Sequence, residues 1–304
     1  MTLLSADTLW LLIAMLSAGA CAGFTAGLFG IGGGFVVVPV LLIIFNKMGV
    51  ANDVAVHLAI GTSLATIITT SLRAARSHST RNAVDFTVVK SWAPWIASGV
   101  VVGLVIASDA NVSLLVGVFG AGVLLLSVHF LFPTWLAHKR VNKTLPQGRT
   151  KAMLATFLGG ISALLGIGGG TITVLTMTLS NRPIHQAIGT ASAFGALIAI
   201  PGTIGFMVIG WGKAGLPLGS LGYVNTVGWI AISAVSVLTA PLGAKLAHTL
   251  NPNMLKRAFG VYLVVTGCFM LQKSVTSMSP NTELVHSHCV LAVNDECFDV
   301  MAFD

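Results

Sequence analysis

A chain of 304 residues that is 55% hydrophobic and only 8% charged, with a mean hydropathy of +0.91, cannot cover a soluble surface. The same figures exclude disorder, because disordered chains are poor in apolar residues and rich in charge. The formal charge of +7 comes from bases between apolar runs, the pattern of membrane-flanking loops rather than of a nucleic-acid surface.

Apolar runs follow at about 8–46, 54–72, 88–108, 110–135, 152–181, 184–211, 222–247 and 254–272. A membrane span needs roughly 20 residues. The first run has no basic segment ahead of it and continues uncharged to Lys47, so it reads as mature structure rather than a cleaved leader. Between Pro133 and Lys151 stand Lys139, Arg140, Lys143, Arg149 and Lys151, which mark a basic linker over 134–151. It separates a membrane half at 1–133 from a second at 152–274, and residues 275–304 form a polar tail. Four cysteines do not make a disulfide scaffold. Cys21 and Cys268 read as apolar fillers, and Cys289 and Cys297 could pair if the tail lies on an oxidising side.

The two halves repeat. Phe29-Gly-Ile-Gly-Gly-Gly34 returns as Leu165-Gly-Ile-Gly-Gly-Gly170, and His57-Leu-Ala-Ile-Gly-Thr62 returns as His185-Gln-Ala-Ile-Gly-Thr190. Gly103, Ala107, Asn111, Phe119 and Gly120 return at Gly243, Ala247, Asn251, Phe259 and Gly260. Each glycine string interrupts a helix, since glycine costs about 1 kcal/mol relative to alanine. The first run therefore splits into about 8–28 and 35–46, and the fifth into about 152–165 and 171–181. The second pieces are too short to span. If each broken run crosses once, Arg182, Lys245, Lys256 and Arg257 lie opposite the linker bases. If each is a hairpin returning to its starting side, 13 of the 16 Lys and Arg share the linker side, leaving Lys47, Lys213 and Lys273 opposite. The second arrangement follows the positive-inside rule better. The expected fold class is an all-α integral membrane protein of two inverted repeats, each a Gly-broken (re-entrant) helix pair plus three transmembrane helices. The linker is then cytoplasmic and the C-terminus is not. Inverted repeats with broken helices are an architecture of secondary transporters.

Neither glycine string is a nucleotide loop. Phe35 and Thr171 stand where a dinucleotide fingerprint needs its third glycine, and no Lys-Ser/Thr pair follows. Gly30, Gly32, Gly33 and Gly34, with Gly166, Gly168, Gly169 and Gly170, have two readings. They pack helices closely, as Gly19, Gly23 and Gly27 are expected to do, or they expose backbone N–H groups at the positive ends of two short helices, a site for a small anion. Thr62, Ser63, Thr190 and Ser192 are candidate hydroxyl donors to that anion; the alternative is that they bond their own helix carbonyls. His57 and His185 are candidate gating or proton-carrying residues, one near each membrane face, or else interfacial histidines at loop–helix junctions. Asp53, four residues before His57, is a lone carboxylate, and no cysteine accompanies either histidine at ligand spacing, so neither a metal nor a cofactor is expected. No Asp or Glu falls inside a span, and intramembrane carboxylates are the usual mark of cation binding or proton relay. Their absence points to an anion and leaves an embedded enzyme without its usual acid–base residues. Arg73 and Arg76 read as topology anchors or as residues that attract the anion.

The Gly-x-Gly-Gly-Gly-(x)4-Pro pattern at Gly30–Pro39, its return at Gly166–Gly170 with Leu175 in place of the proline, and Ala59-Ile-Gly-Thr-Ser63 resemble the sulfite exporter TauE/SafE family. So do the basic loop Arg73–Asp85 and Pro241-Leu-Gly-Ala-Lys-Leu-Ala247. The likeness covers about residues 10–272. It implies an inner-membrane permease of bacterial type for small anions, sulfite or organosulfur anions among them. The expected function is a secondary transporter, an exporter, working by alternating access around the two glycine breaks, with a small anion and the lipid bilayer as its partners and no nucleic acid. Phe35, Phe194 and Trp92 are candidates for shaping the room beside the anion. The alternatives are a membrane-embedded enzyme and a non-transporting sensor or assembly subunit operated by the tail. The sequence does not choose an oligomeric state.

Overall fold

The computed structural model of the protein describes residues 6–131, 145–180, 182–247, 249, 257, 260–261 and 263–272. Residues 134–144 of the linker, the tail, Cys289, Cys297, Asn251, Phe259 and the Leu175 side chain lie outside the described residues.

The first apolar run is two helices, α1 (Ala6–Phe29) and α2 (Gly34–Lys47), with the glycine string between them. α2 runs back beside α1: the Lys47 ammonium lies 4.3 Å above the Trp10 ring, near the start of α1. α3 (Asn52–Ser79) outlasts its apolar run by seven residues. The charges of Leu72-Arg-Ala-Ala-Arg76 end the hydropathy signal, but these are strong helix formers and the helix continues. α4 (Phe86–Asp109) and α5 (Val112–Leu131) complete the first half. In the second half, α6 (Gly148–Leu165) and α7 (Gly170–Leu179) flank the other glycine string. α8 (Ile184–Ile209), α9 (Thr226–Ala247) and α10 (Leu263–Gln272) follow. The short pieces α2 and α7 have 14 and 10 residues, against 12 and 11 expected. α1, α3, α4, α8 and α9 are each long and apolar enough to cross a membrane.

Between α8 and α9 the chain makes a two-residue antiparallel pair, β1 (Ser220–Leu221) and β2 (Val224–Asn225), in register Ser220↔Asn225 and Leu221↔Val224. Hydropathy had merged its second strand into the seventh run. Asn225 then caps α9, its side-chain oxygen accepting from the Gly228 N–H at 2.8 Å. At the start of α4, Asp85 accepts from the Thr87 and Val88 N–H groups, both at 3.1 Å.

Helices from the two halves interleave: α1 packs on α9, α4 on α6, and α3 on α8. In lipid, apolar surface does not drive helices together, and close packing of small residues takes over. Gly19, Gly23 and Gly27 serve this purpose, as expected: a Cβ on Gly23 would collide with Ser236 and one on Gly27 with the Ala240 carbonyl, both on α9. On the other side, Gly99 and Gly103 of α4 meet Thr156 and Gly160 of α6 in the same manner. Large apolar side chains left exposed, such as Val101, Val105, Ile204, Val208, Ile230 and Leu238, form the surface suited to lipid. Cys21 and Cys268 belong to that exposed surface and do not fill the core. Arg73 and Arg76 are exposed near the end of α3.

Candidate functional site

The glycine strings end α1 and α6 because the backbone turns left-handed there. Gly30, Gly32 and Gly33 have φ of 71°, 78° and 77°, and Gly166 and Gly169 have 62° and 63°, values that favour glycine. The two turns meet backbone to backbone. A Cβ on Gly34 would collide with the Gly166 carbonyl, and one on Gly170 with the Gly30 carbonyl. A Cβ on Gly32 would sit 3.3 Å from the Gly168 Cα. Gly30, Gly32 and Gly34 therefore meet Gly170, Gly168 and Gly166, while a Cβ on Gly33 would face Ala22 of α1 and one on Gly169 would face Ile198 of α8; the N-terminal ends of α2 and α7, where helix N–H groups lack intrahelical partners, open at the same place. The contact lies against α3 and α8, which pack side by side from Gly61 on Phe206 to His78 on Gly189. The Ile67 side chain of α3 touches both strings, Thr70 donates to the Gly32 carbonyl at 3.3 Å, and Gly195 of α8 abuts Gly168.

Of the predicted hydroxyls, Ser63 reaches this contact and donates to the Gly166 carbonyl at 2.9 Å. Ser192 donates to its own helix, at the Ile188 carbonyl. Thr62 and Thr190 act elsewhere. Thr62 Oγ1 accepts from the Asn225 N–H and Thr190 Oγ1 from the Asp85 N–H, each at 2.9 Å. They tether the capping residues of α9 and α4 to α3 and α8. Partners 163 and 105 residues away could not be foreseen from spacing. Ser71 and Ser162, which sequence reading passed over, also flank the glycine contact; only the nearness of Ser162 to its string was a signal. Phe35, Trp92 and Phe194 are buried, and the last two rings stack with centroids 6.1 Å apart in the core between α4, α6 and α8.

His57 and His185 sit at opposite ends. His57 Nδ1 is 2.8 Å from the Asp53 carbonyl and Nε2 is 3.2 Å from the Ala107 carbonyl at the end of α4. Its ring stacks on Tyr223, 5.0 Å between centroids, and lies 6.5 Å from the Phe206 ring. It faces a cavity of about 400 Å³ that Asp53, Ser108, Asn111, Lys213 and Tyr223 also line. Burial pushes the Tyr223 phenol above its ordinary value, and the Asp53 carboxylate adds to the rise. At the far end, His185 opens α8 beside the turn that holds Ala83 and Asp85. There Arg182 approaches Asp85 at 3.9 Å. Among the described residues no cluster of His, Cys, Asp or Glu could hold a metal ion.

The sequence profile of the family described as "Sulfite exporter TauE/SafE" matches residues 15–270. The chain belongs to this family. A relative from Haemophilus influenzae, named "Probable membrane transporter protein", is 34% identical over 262 residues, 84% of this chain and 96% of its own length. One from Xylella fastidiosa with the same name is 31% identical over 281 residues, covering 89% and 99%. A "Probable membrane transporter protein" of Methanocaldococcus jannaschii is 24% identical over 278 residues, covering 87% and 97%. No solved structure matches. As a TauE/SafE member with five helices fit to span among the described residues, the chain is an integral membrane protein of a transporter family.

Proposed function

We propose that this TauE/SafE protein is a secondary transporter that exports a small anion, sulfite or an organosulfur anion, across a bacterial inner membrane. The observation that carries the reading is the meeting of the two glycine turns, which brings the starts of α2 and α7 to one point inside the bundle. A helix N-terminus favours negative charge by about 0.3–1 kcal/mol when exposed and up to about 2 when partly buried. Two such ends favour an anion over a neutral or cationic solute.

The halves act as inverted repeats, each with one re-entrant pair, and rock about the glycine contact. Two contacts support the hairpins: Lys47 lies over Trp10 at the ends of α1 and α2, and Arg182 approaches Asp85 on the side of Arg81 and Lys90. A single crossing of the fifth run would have separated that last pair. Thr62 and Thr190 hold the loops at the two ends, Ser63 shapes the second glycine turn, and His57 and His185 gate the two sides.

The test is flux into proteoliposomes with sulfite, thiosulfate, methanesulfonate and sulfate, against a cation and a neutral solute. Selective anion flux that survives truncation after residue 274 is expected; equal carriage of a cation or neutral solute rejects the reading. Arg149→Cys and Arg182→Cys, in a background without the native cysteines, should react with a membrane-impermeant maleimide from the same side. Reaction from opposite sides rejects the hairpin of the fifth run.

A further inference from the structure

Most buried hydroxyls around the glycine contact are spent on the protein itself. Thr66 donates to the Ser63 carbonyl at 2.7 Å, Thr70 to Thr66 at 3.0 Å, Thr173 to Gly169 at 3.1 Å and Ser192 to Ile188 at 3.1 Å. Such back-bonding is the ordinary fate of Ser and Thr in apolar helices. Ser71 of α3 and Ser162 of α6 break the pattern. Each is 1% exposed, and neither Oγ has a hydrogen-bond partner among the described residues. A buried hydroxyl without a partner is costly and calls for a physical explanation.

Both hydroxyls border the second glycine turn. Ser162 Oγ lies 2.9 Å from where a Cβ on Gly169 would stand, beside the start of α7. Ser71 Oγ presses on Gly195, and a Cβ on Gly168 would come 3.1 Å from the Gly195 Cα. One hydroxyl comes from each half of the chain. The positions one repeat length away, Ala199 and Ala26, carry methyl groups, so the first glycine turn has no such pair.

Resting on the reading of the glycine contact as an anion site, we infer that Ser71 and Ser162 donate hydrogen bonds to the transported oxyanion, which is held on the α7 side of the contact. The bound ion sits at the N-terminus of α7, off the line between the two turns, with two oxygens accepting from the two hydroxyls. The first glycine turn, lacking donors of this kind, acts as the mating surface. The ligand class is a small oxyanion with at least two acceptor oxygens. Chloride, without separate acceptor atoms, is the discriminating non-ligand.

The experiment uses the full chain in lipid nanodiscs, with melting temperature and binding measured against sodium sulfite, thiosulfate, sulfate and chloride. Wild-type protein should be stabilised by at least one oxyanion and not by chloride. Ser71→Ala and Ser162→Ala should each weaken that oxyanion by about tenfold to a hundredfold. Without ligand, both variants should melt at or above the wild-type temperature, because each removes an unsatisfied hydroxyl. Ser127→Ala on α5, whose hydroxyl bonds the Leu124 carbonyl, is the control and should leave affinity unchanged. Variants that melt lower yet bind as wild type overturn the inference and leave the anion site standing. A wild type that responds to no oxyanion overturns the anion site and the inference with it.

Discussion

Against Gly61 come the Tyr223 carbonyl and the Phe206 Cβ; against Gly189, at the other end of the bundle, come the Ala83 carbonyl and the His78 Cβ. The turns close alike, Tyr223 N–H donating to the Phe206 carbonyl at 3.1 Å and Ala83 N–H to the His78 carbonyl at 3.0 Å. Their side chains differ. At the first end a phenol stacks on His57 and a phenyl ring lies behind it. At the second an imidazole replaces the phenyl and a methyl replaces the phenol, and His78 Nε2 lies 2.9 Å from the Gly27 carbonyl, three residues before the glycine turn. A frame of backbone contacts admits only glycine at its closest points, so it repeats. Side chains beyond the frame are not so bound, and the two ends differ in the groups that can titrate, stack or hold α1.

The largest test of the shared frame is Gly61→Val against Gly189→Val. Each Cβ would collide with a backbone carbonyl, which cannot swing aside as a flexible side chain can. Both should destabilise by roughly 3 kcal/mol or more, at the upper end of overpacking costs, and leave little folded protein by size-exclusion chromatography. Tolerance of one and not the other would break the equivalence. Next in size is His78→Phe, which copies the Phe206 end onto the His78 end. It removes the imidazole from the Gly27 carbonyl and overfills a fully buried position. A loss of about 2–4 kcal/mol is expected, read as a lower melting temperature in nanodiscs. No loss would mean that the Gly27 contact does not hold α1.

Much of this frame was legible because glycine is a distinctive signal. The strings at 30–34 and 166–170 could be placed as breaks without knowing the fold, and the small residues of α1 foretold its packing on another helix. Charge counting favoured the arrangement in which Arg182 and Asp85 share an end. Roles that depend on rotamers or distant partners were hidden. Thr62 and Thr190 look like ligands in the sequence, yet each accepts from a loop amide far along the chain. Ser71 and Ser162 look like any other helical serines, and only their neighbours reveal that they have no bond among the described residues. They escape a repeat-based reading for a further reason: their counterparts are alanines, so nothing marks them in both halves.

The tethers give an intermediate test. Thr62→Val and Thr190→Val keep the shape of the side chain and remove the oxygen that accepts from Asn225 and Asp85. A buried amide left without its acceptor costs about 1–3 kcal/mol, and because the Asn225 tether is buried and the Asp85 tether only partly so, Thr62→Val should cost at least as much as Thr190→Val. Unequal losses in denaturant titration would sharpen the comparison by showing which end is held more firmly.

The smallest effect separates the two caps. Asp85 and Asn225 occupy matched positions and cap α4 and α9, and Asn and Asp serve almost equally well at such a position. Exchange should therefore be nearly silent if capping were their only task. Asp85 adds a contact at 3.9 Å with Arg182, whose side chain is 43% exposed, and exposed pairs contribute little. Asp85→Asn should thus cost at most about 0.5 kcal/mol and become indistinguishable from wild type in high salt. Asn225 uses its amide nitrogen as well, donating to the Leu218 carbonyl at 3.3 Å and to Ser220 Oγ at 3.2 Å, which closes the β1–β2 turn. A carboxylate cannot donate, and its charge would face the Leu218 carbonyl. Asn225→Asp should therefore cost about 1–2 kcal/mol, with a loss that salt does not abolish, because it arises from a missing donor rather than from a screened pair. If the exchange costs more at residue 85, the loop before α4 is the more tightly built of the two, and the Tyr223 turn is held by its ring contacts rather than by its cap.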